Sequence, residues 1–248
     1  MVRIFLPFPY RFLLMTEFAK EAEKEIIFIN PKKIKIMGTI QKGILGGFSG
    51  KVGSVVGGSW KGIDYMRSMA QRRTTTSSQR QKEQQMKFGL IARFQQPLAN
   101  LLAISFKSYA IKMTGANSAM SYNIRNAITG LYPDFVIDYP RVLVSRGDMP
   151  NAINPVATAA AGGIVNFTWQ NNAGSGKAKD TDKSILVAYC PELSQSIYTD
   201  AGAERSVESG SLDLSAFSGL KVETWVGFIS DTGNITATSV FAGEVTVQ

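Results

Sequence analysis

The chain has 248 residues, 44% hydrophobic and 19% charged, with 27 Lys/Arg against 19 Asp/Glu and a formal net charge of +8. That balance belongs to a folded protein with room for one large or two ordinary domains. It holds no histidine and one cysteine, Cys190, which excludes Ser/His and Cys/His triads, a disulfide framework and any multi-cysteine zinc site.

Residues 1–36 read poorly as structure. The apolar run Ile4 to Leu14 is broken by Pro7 and Pro9 and is too short to cross a bilayer. No small-residue cleavage site follows it, only the charged stretch Thr16–Glu25. Composition changes at Met37, so residues 1–36 are expected to be a non-native or disordered extension and Met37 the natural start. On that expectation no targeting signal remains. The default compartment is then the cytoplasm, with a surface or virion location as the alternative.

Residues 37–133 are expected to form a basic hairpin-and-helix region. Eight glycines fall between positions 43 and 62. They do not make a P-loop, because Gly50-Lys51 is followed by Val52 and Leu45 stands where the motif needs its first glycine. Nor do they make a dinucleotide fingerprint or a Gly-x-Ser-x-Gly elbow. The pattern predicts a hairpin instead: strands Val52–Val56 and Ser59–Arg67 joined by a Gly57-Gly58 turn. About three helices should follow. Thr74–Ser78 supplies the cap of the first, near Gln79, with Met86, Leu90, Ile91 and Phe94 on one face. The second starts at Pro97 with Leu98, Leu101, Leu102, Ser105 and Tyr109 aligned. The third covers Ser118–Thr129, with Gly130 as its C-terminal cap.

After Pro133 the period becomes two. Strands are predicted at Ile137–Val144, Val156–Ala161, Ile164–Trp169, Ser184–Tyr189, Ser206–Leu214, Lys221–Ile229 and Ser239–Val247, with turns at Gly162-Gly163, Asn171–Gly176 and Asp231-Thr232-Gly233. The fold class is therefore α+β: an N-terminal hairpin and helices, then an antiparallel immunoglobulin-like β-sandwich over 134–248.

Several motifs have a plain structural explanation. Arg146-Gly147-Asp148 spells an adhesion tripeptide but arises readily in a turn. Asp180 and Asp182, among Lys177, Lys179 and Lys183, are expected to be solvated loop charges rather than calcium ligands. Asp134 and Asp138, beside Pro133 and Pro140, fit turn and strand-edge roles better than an acid–base pair. Cys190, before Pro191, reads as a strand-end residue. No catalytic, cofactor or metal residue is assigned, and no small-molecule substrate is evident.

The strongest remaining signal is charge. Residues 1–150 hold 22 Lys/Arg against 9 Asp/Glu, while residues 151–248 hold 5 against 10. Between Met37 and Gly130 there are 13 Lys/Arg and only Asp64 and Glu83 as acids. Lys51, Trp60, Lys61, Tyr65, Arg67, Arg72, Arg73 and Arg80 are the candidate interaction residues, cations for phosphates or an acidic partner and rings for stacking.

The run Gly43-Ile44-Leu45-Gly46-Gly47-Phe48-Ser49-Gly50-Lys51, continuing through Gly57-Gly58-Ser59-Trp60-Lys61-Gly62-Ile63, is similar to the start of a family of uncharacterised Bacteroidota proteins that end in a strand-rich half. The resemblance covers Met37 to the C-terminus and implies no established activity or ligand. The segments Val165–Trp169 and Val222–Ile229 with Trp225 resemble fibronectin type III or immunoglobulin-like modules. Together these readings point to a non-catalytic structural or interaction protein, part of a surface or phage-type assembly, partnered by protein or by its own copies. The alternative is a sequence-independent nucleic-acid-binding protein using the basic 37–130 region.

Overall fold

The computed structural model describes residues 39–40, 47–60, 62–71 and 76–248. The chain divides after residue 73 into two units.

The first unit is an antiparallel sheet of β1 (Thr39–Ile40), β2 (Phe48–Val52), β3 (Val55–Trp60) and β4 (Ile63–Ser68), in that order. Its turns differ from the expectation. The β2–β3 reversal lies at Gly53-Ser54, where Gly53 takes φ +60°. The β3–β4 reversal lies between Trp60 and Ile63, with Gly62 at φ +80°. Gly57 and Gly58 are not a turn but the middle of β3, paired with Gly50, Met66 and Tyr65. Glycine is required there for space, since a Cβ on Gly57 would collide with the backbone carbonyl and ring of Phe48.

The second unit begins with helix α1 (Gln79–Gln95), capped by Ser78. The Ser78 hydroxyl accepts from the Gln81 N–H, and the Gln81 side chain accepts from the Ser78 N–H, a reciprocal box worth about 1 kcal/mol. A 3₁₀ turn at Gln96–Leu98 leads into α2 (Ala99–Ser105), and Thr114 caps α3 (Gly115–Asn126). The third helix ends earlier than expected. Ile128–Thr129 instead pairs as β5 with β6 (Val136–Ile137), and Gly130 serves their turn at φ +88° rather than a helix cap. The strand expected over Ile137–Val144 is replaced by a 3₁₀ turn at Tyr139–Arg141, because Pro140 cannot donate to a ladder.

Seven strands complete the unit: β7 (Ile153–Ala160), β8 (Ile164–Gln170), β9 (Lys183–Cys190), β10 (Gln195–Thr199), β11 (Ser209–Asp213), β12 (Lys221–Ile229) and β13 (Val240–Thr246). They form two antiparallel sheets, ordered β11-β8-β7 and β10-β9-β12-β13. Strand β10 had no counterpart in the sequence reading.

Three layers result. Val165, Phe167 and Trp169 of β8 meet Leu186, Ala188, Val226 and Phe228 of β9 and β12 in a core between the sheets. The opposite face of β9 and β12 presents Ile185, Val187, Tyr189, Trp225 and Ile229 to Phe94, Leu98, Leu101, Leu102 and Phe106 of the helical layer. Hence β8 alternates buried and exposed, whereas β9 and β12 are buried on both faces after their first residue. The division expected at 133/134 falls inside this unit, where helices and strands share a core.

Candidate functional site: an exposed aromatic and basic sheet face

Residues directly opposite in an antiparallel ladder share a face, and residues alternate along each strand. The pairings Lys51 with Val56, Val56 with Arg67, Gly58 with Tyr65 and Trp60 with Ile63 therefore place Lys51, Val56, Gly58, Trp60, Ile63, Tyr65 and Arg67 on one side of the first sheet. Asp64, Met66, Val55 and Val52 lie on the other. As one continuous strand over 59–67, Trp60 would face away from Tyr65 and Arg67. The reversal after Trp60 brings all three together.

The face is open. Trp60 is 53% exposed, Ile63 58% and Tyr65 47%, and Lys51 and Arg67 are exposed. Tyr65 lies across Gly58: its Cζ and Oη are each 3.0 Å from where a Gly58 Cβ would stand. The missing side chain lets the phenol ring settle onto the strand with half its surface free. Trp60 and Tyr65 are diagonal neighbours on adjacent strands, about 7–8 Å apart. The acid of β4, Asp64, is on the reverse face, where its carboxylate fills the space beside Gly47.

This sheet has almost no core. Among the described residues from 47 to 71, Gly57 alone is buried, while Val52, Trp60, Ile63, Tyr65, Met66 and Met69 are exposed. A depression of about 230 Å³ between Gly47, Ser49, Gly58 and Asp64 is smaller than the roughly 300–1,000 Å³ usual for ligand pockets. Of the other candidates, Arg80 lies on α1 in the second unit. Lys61, Arg72 and Arg73 lie outside the described residues.

Other sequence motifs are absorbed by structure. The Arg146 guanidinium sits 4.3 Å from the Tyr109 ring centroid and 5.1 Å from that of Tyr122. Asp148 accepts a 2.5 Å hydrogen bond from the Tyr109 hydroxyl, which holds that phenol above its ordinary pKa. Gly147 packs against the Thr236 carbonyl. The tripeptide is thus a clasp between helical layer and strands. Cys190 is fully buried in the inter-sheet core, and Asp138 pairs with Arg141 at 3.1 Å. Among the described residues no three acidic or cysteine side chains converge as a metal site.

Asp182 corrects the expectation of a solvated charge. It is 1% exposed and paired at 3.3 Å with Arg205, itself fully buried. The Asp182 carboxylate also accepts from the Lys179 N–H at 2.8 Å. Arg205 further donates to Asn172 and to the Pro150 carbonyl at 3.2 Å, and its guanidinium covers the Phe228 ring at 3.8 Å. Burial pulls the Arg205 pKa down and Asp182 pushes it back up. Asp180 stays exposed and accepts from Asn171.

Sequence reasoning missed Glu223. It is 8% exposed, within β12, opposite Tyr189 on one side and Glu244 on the other. Burial, with the Glu244 charge second, raises its carboxyl to about 7 against the pull of Lys221. A lone acid within a nine-residue apolar strand was the available signal.

Fold and surface together define an α+β protein: helix-backed antiparallel sheets in one unit and, in the other, a glycine-rich sheet with a bare aromatic and basic face. The chain belongs to the family of unknown function DUF6266, whose model matches residues 47–243. This agrees with the expectation of a family without an established activity. No curated protein matches the chain. No helix among the described residues is long and apolar enough to cross a membrane.

Proposed function

We propose that the protein is a non-catalytic interaction protein whose glycine-rich sheet is the docking element and whose second unit is its rigid carrier. One observation carries this reading: among the described residues, the four-stranded sheet exposes five large apolar side chains, Val52, Trp60, Ile63, Tyr65 and Met66, and buries none. Such a sheet gains stability only when another surface covers it. The open edge β4 strengthens the case, because it pairs regularly with β3 without a bulge and contains no proline.

The carrier is read as a fibronectin type III or immunoglobulin-like sandwich. Supporting this is the distribution of its seven strands: first, second and fifth in one sheet, third, fourth, sixth and seventh in the other. The helical layer on the four-stranded sheet is an addition to that plan.

The test is light scattering on the full chain over a concentration series, before and after nuclease treatment. The wild type should run as an oligomer or a complex, and the double variant Tyr65→Ser, Met66→Ser as a single bare chain. A wild type that is a single bare chain before nuclease treatment and binds no added oligonucleotide overturns the docking role. Turnover in a broad hydrolase screen, lost in Asp134→Asn or Asp138→Asn, overturns the non-catalytic one.

A further inference from the structure

Resting on the docking role just proposed, we infer that the partner of the Lys51–Trp60–Tyr65–Arg67 face is single-stranded nucleic acid. The sorting of side chains between the two faces carries this inference. Lys51 and Arg67 stand on the same side as Trp60 and Tyr65, and Asp64 stands on the other. A second copy stacked on this face would set its cations against these, whereas a phosphate backbone neutralises both.

Geometry selects the single strand over the duplex. Trp60 and Tyr65 offer exposed ring surface at diagonal spacing on one sheet face, and unpaired bases have free faces to lay on them. A duplex hides its base faces in the stack. Gly58 makes the arrangement workable, since a Cβ there would press on the outer end of the Tyr65 ring at 3.0 Å and displace it from its seat. Lys51 and Arg67 flank Val56 on the neighbouring row, about 10 Å apart across two strand spacings, where they meet the backbone of a strand stacked on the rings. Contacts to base faces and phosphates carry little sequence information, so the expected binding tolerates sequence.

The experiment titrates nuclease-treated full chain into fluorescein-labelled 12-mers of deoxythymidine and uridine, with a 12-base-pair duplex as comparison. Anisotropy reports binding, and tryptophan emission reports the site. Trp60 is the exposed indole, while Trp169 and Trp225 are 4% and 0% exposed, so quenching assigns the contact. Trp60→Ala and Tyr65→Ala should each weaken binding about fivefold or more, and Trp60→Phe should keep most of it. Lys51→Gln should reduce the slope of log K against log salt by about 0.7. Lys107→Gln, on the other unit, should leave affinity unchanged.

Equal or tighter duplex binding, full affinity in Trp60→Ala, or equal losses from Lys51→Gln and Lys107→Gln would each overturn the inference. If no oligonucleotide binds but the chain self-associates and Tyr65→Ser, Met66→Ser abolishes it, the docking role stands and the nucleic-acid partner falls. A bare single chain that binds none of the oligonucleotides removes both.

Discussion

Replacing Arg205 by methionine probes the most heavily buried charge in the second unit. The guanidinium is 0% exposed and its carboxylate partner 1%. In Arg205→Met the side-chain stem is roughly kept, but Asp182 retains only the Lys179 N–H. Asn172 and the Pro150 carbonyl lose a donor, and Phe228 loses its cation. Breaking a buried pair on one side costs about 3–5 kcal/mol, a large share of the roughly 5–15 kcal/mol that holds a domain together. Urea unfolding followed by the buried tryptophans should show the midpoint falling with the slope preserved. Adding Asp182→Asn to the variant should recover part of the loss, with a coupling of about 1–3 kcal/mol in the double-mutant cycle. A single-variant cost below about 1 kcal/mol, or strict additivity, would refute the buried pair's coupled role.

The buried Glu223 makes stability pH-dependent. Its folded pKa of about 7 lies above the ordinary 4.5, so the folded state holds the proton more tightly. The stabilisation is complete below about pH 4.5 and is lost as pH rises towards 7, up to about 3 kcal/mol. Glu223→Gln should flatten that decline and be more stable than wild type at pH 8; identical urea midpoints for the two at pH 5 and pH 8 would dismiss it. Gly147→Ala places a Cβ onto the Thr236 carbonyl and should cost about 1–3 kcal/mol in thermal unfolding; wild-type stability would show that the segment yields. A chain of residues 76–248 should unfold in one cooperative step because helices and sheets share a core; two separate transitions would contradict that sharing.

Much of this architecture was written in local chemistry. The Thr74–Ser78 run marked the start of α1, alternation fixed β8, and the apolar run of β12 was found residue for residue. Failures came where distant partners decide. Gly57-Gly58 looks like a turn because locally it is one of the best turn pairs. Only the bulk of Phe48 and Tyr65 on flanking strands explains glycine in a central strand. That misplacement put Trp60 on the wrong face and hid the candidate surface, although Lys51, Trp60, Tyr65 and Arg67 were named individually. Asp182 and Arg205 are 23 residues apart, so no local pattern predicts their burial. Glu223 was overlooked because a period-two reading assigns charge to the solvent side of a strand, and a third layer removes that side.

The helical layer also sets a timing problem for synthesis. Phe94, Leu98, Leu101, Leu102 and Phe106 leave the ribosome well before Trp225 and Ile229, against which they pack. At roughly 5–20 residues per second the greasy flank of the helices waits about 6–25 seconds for its cover. During that interval it resembles a chaperone client more than a folded element. Slow codons between α3 and β12 would lengthen the wait.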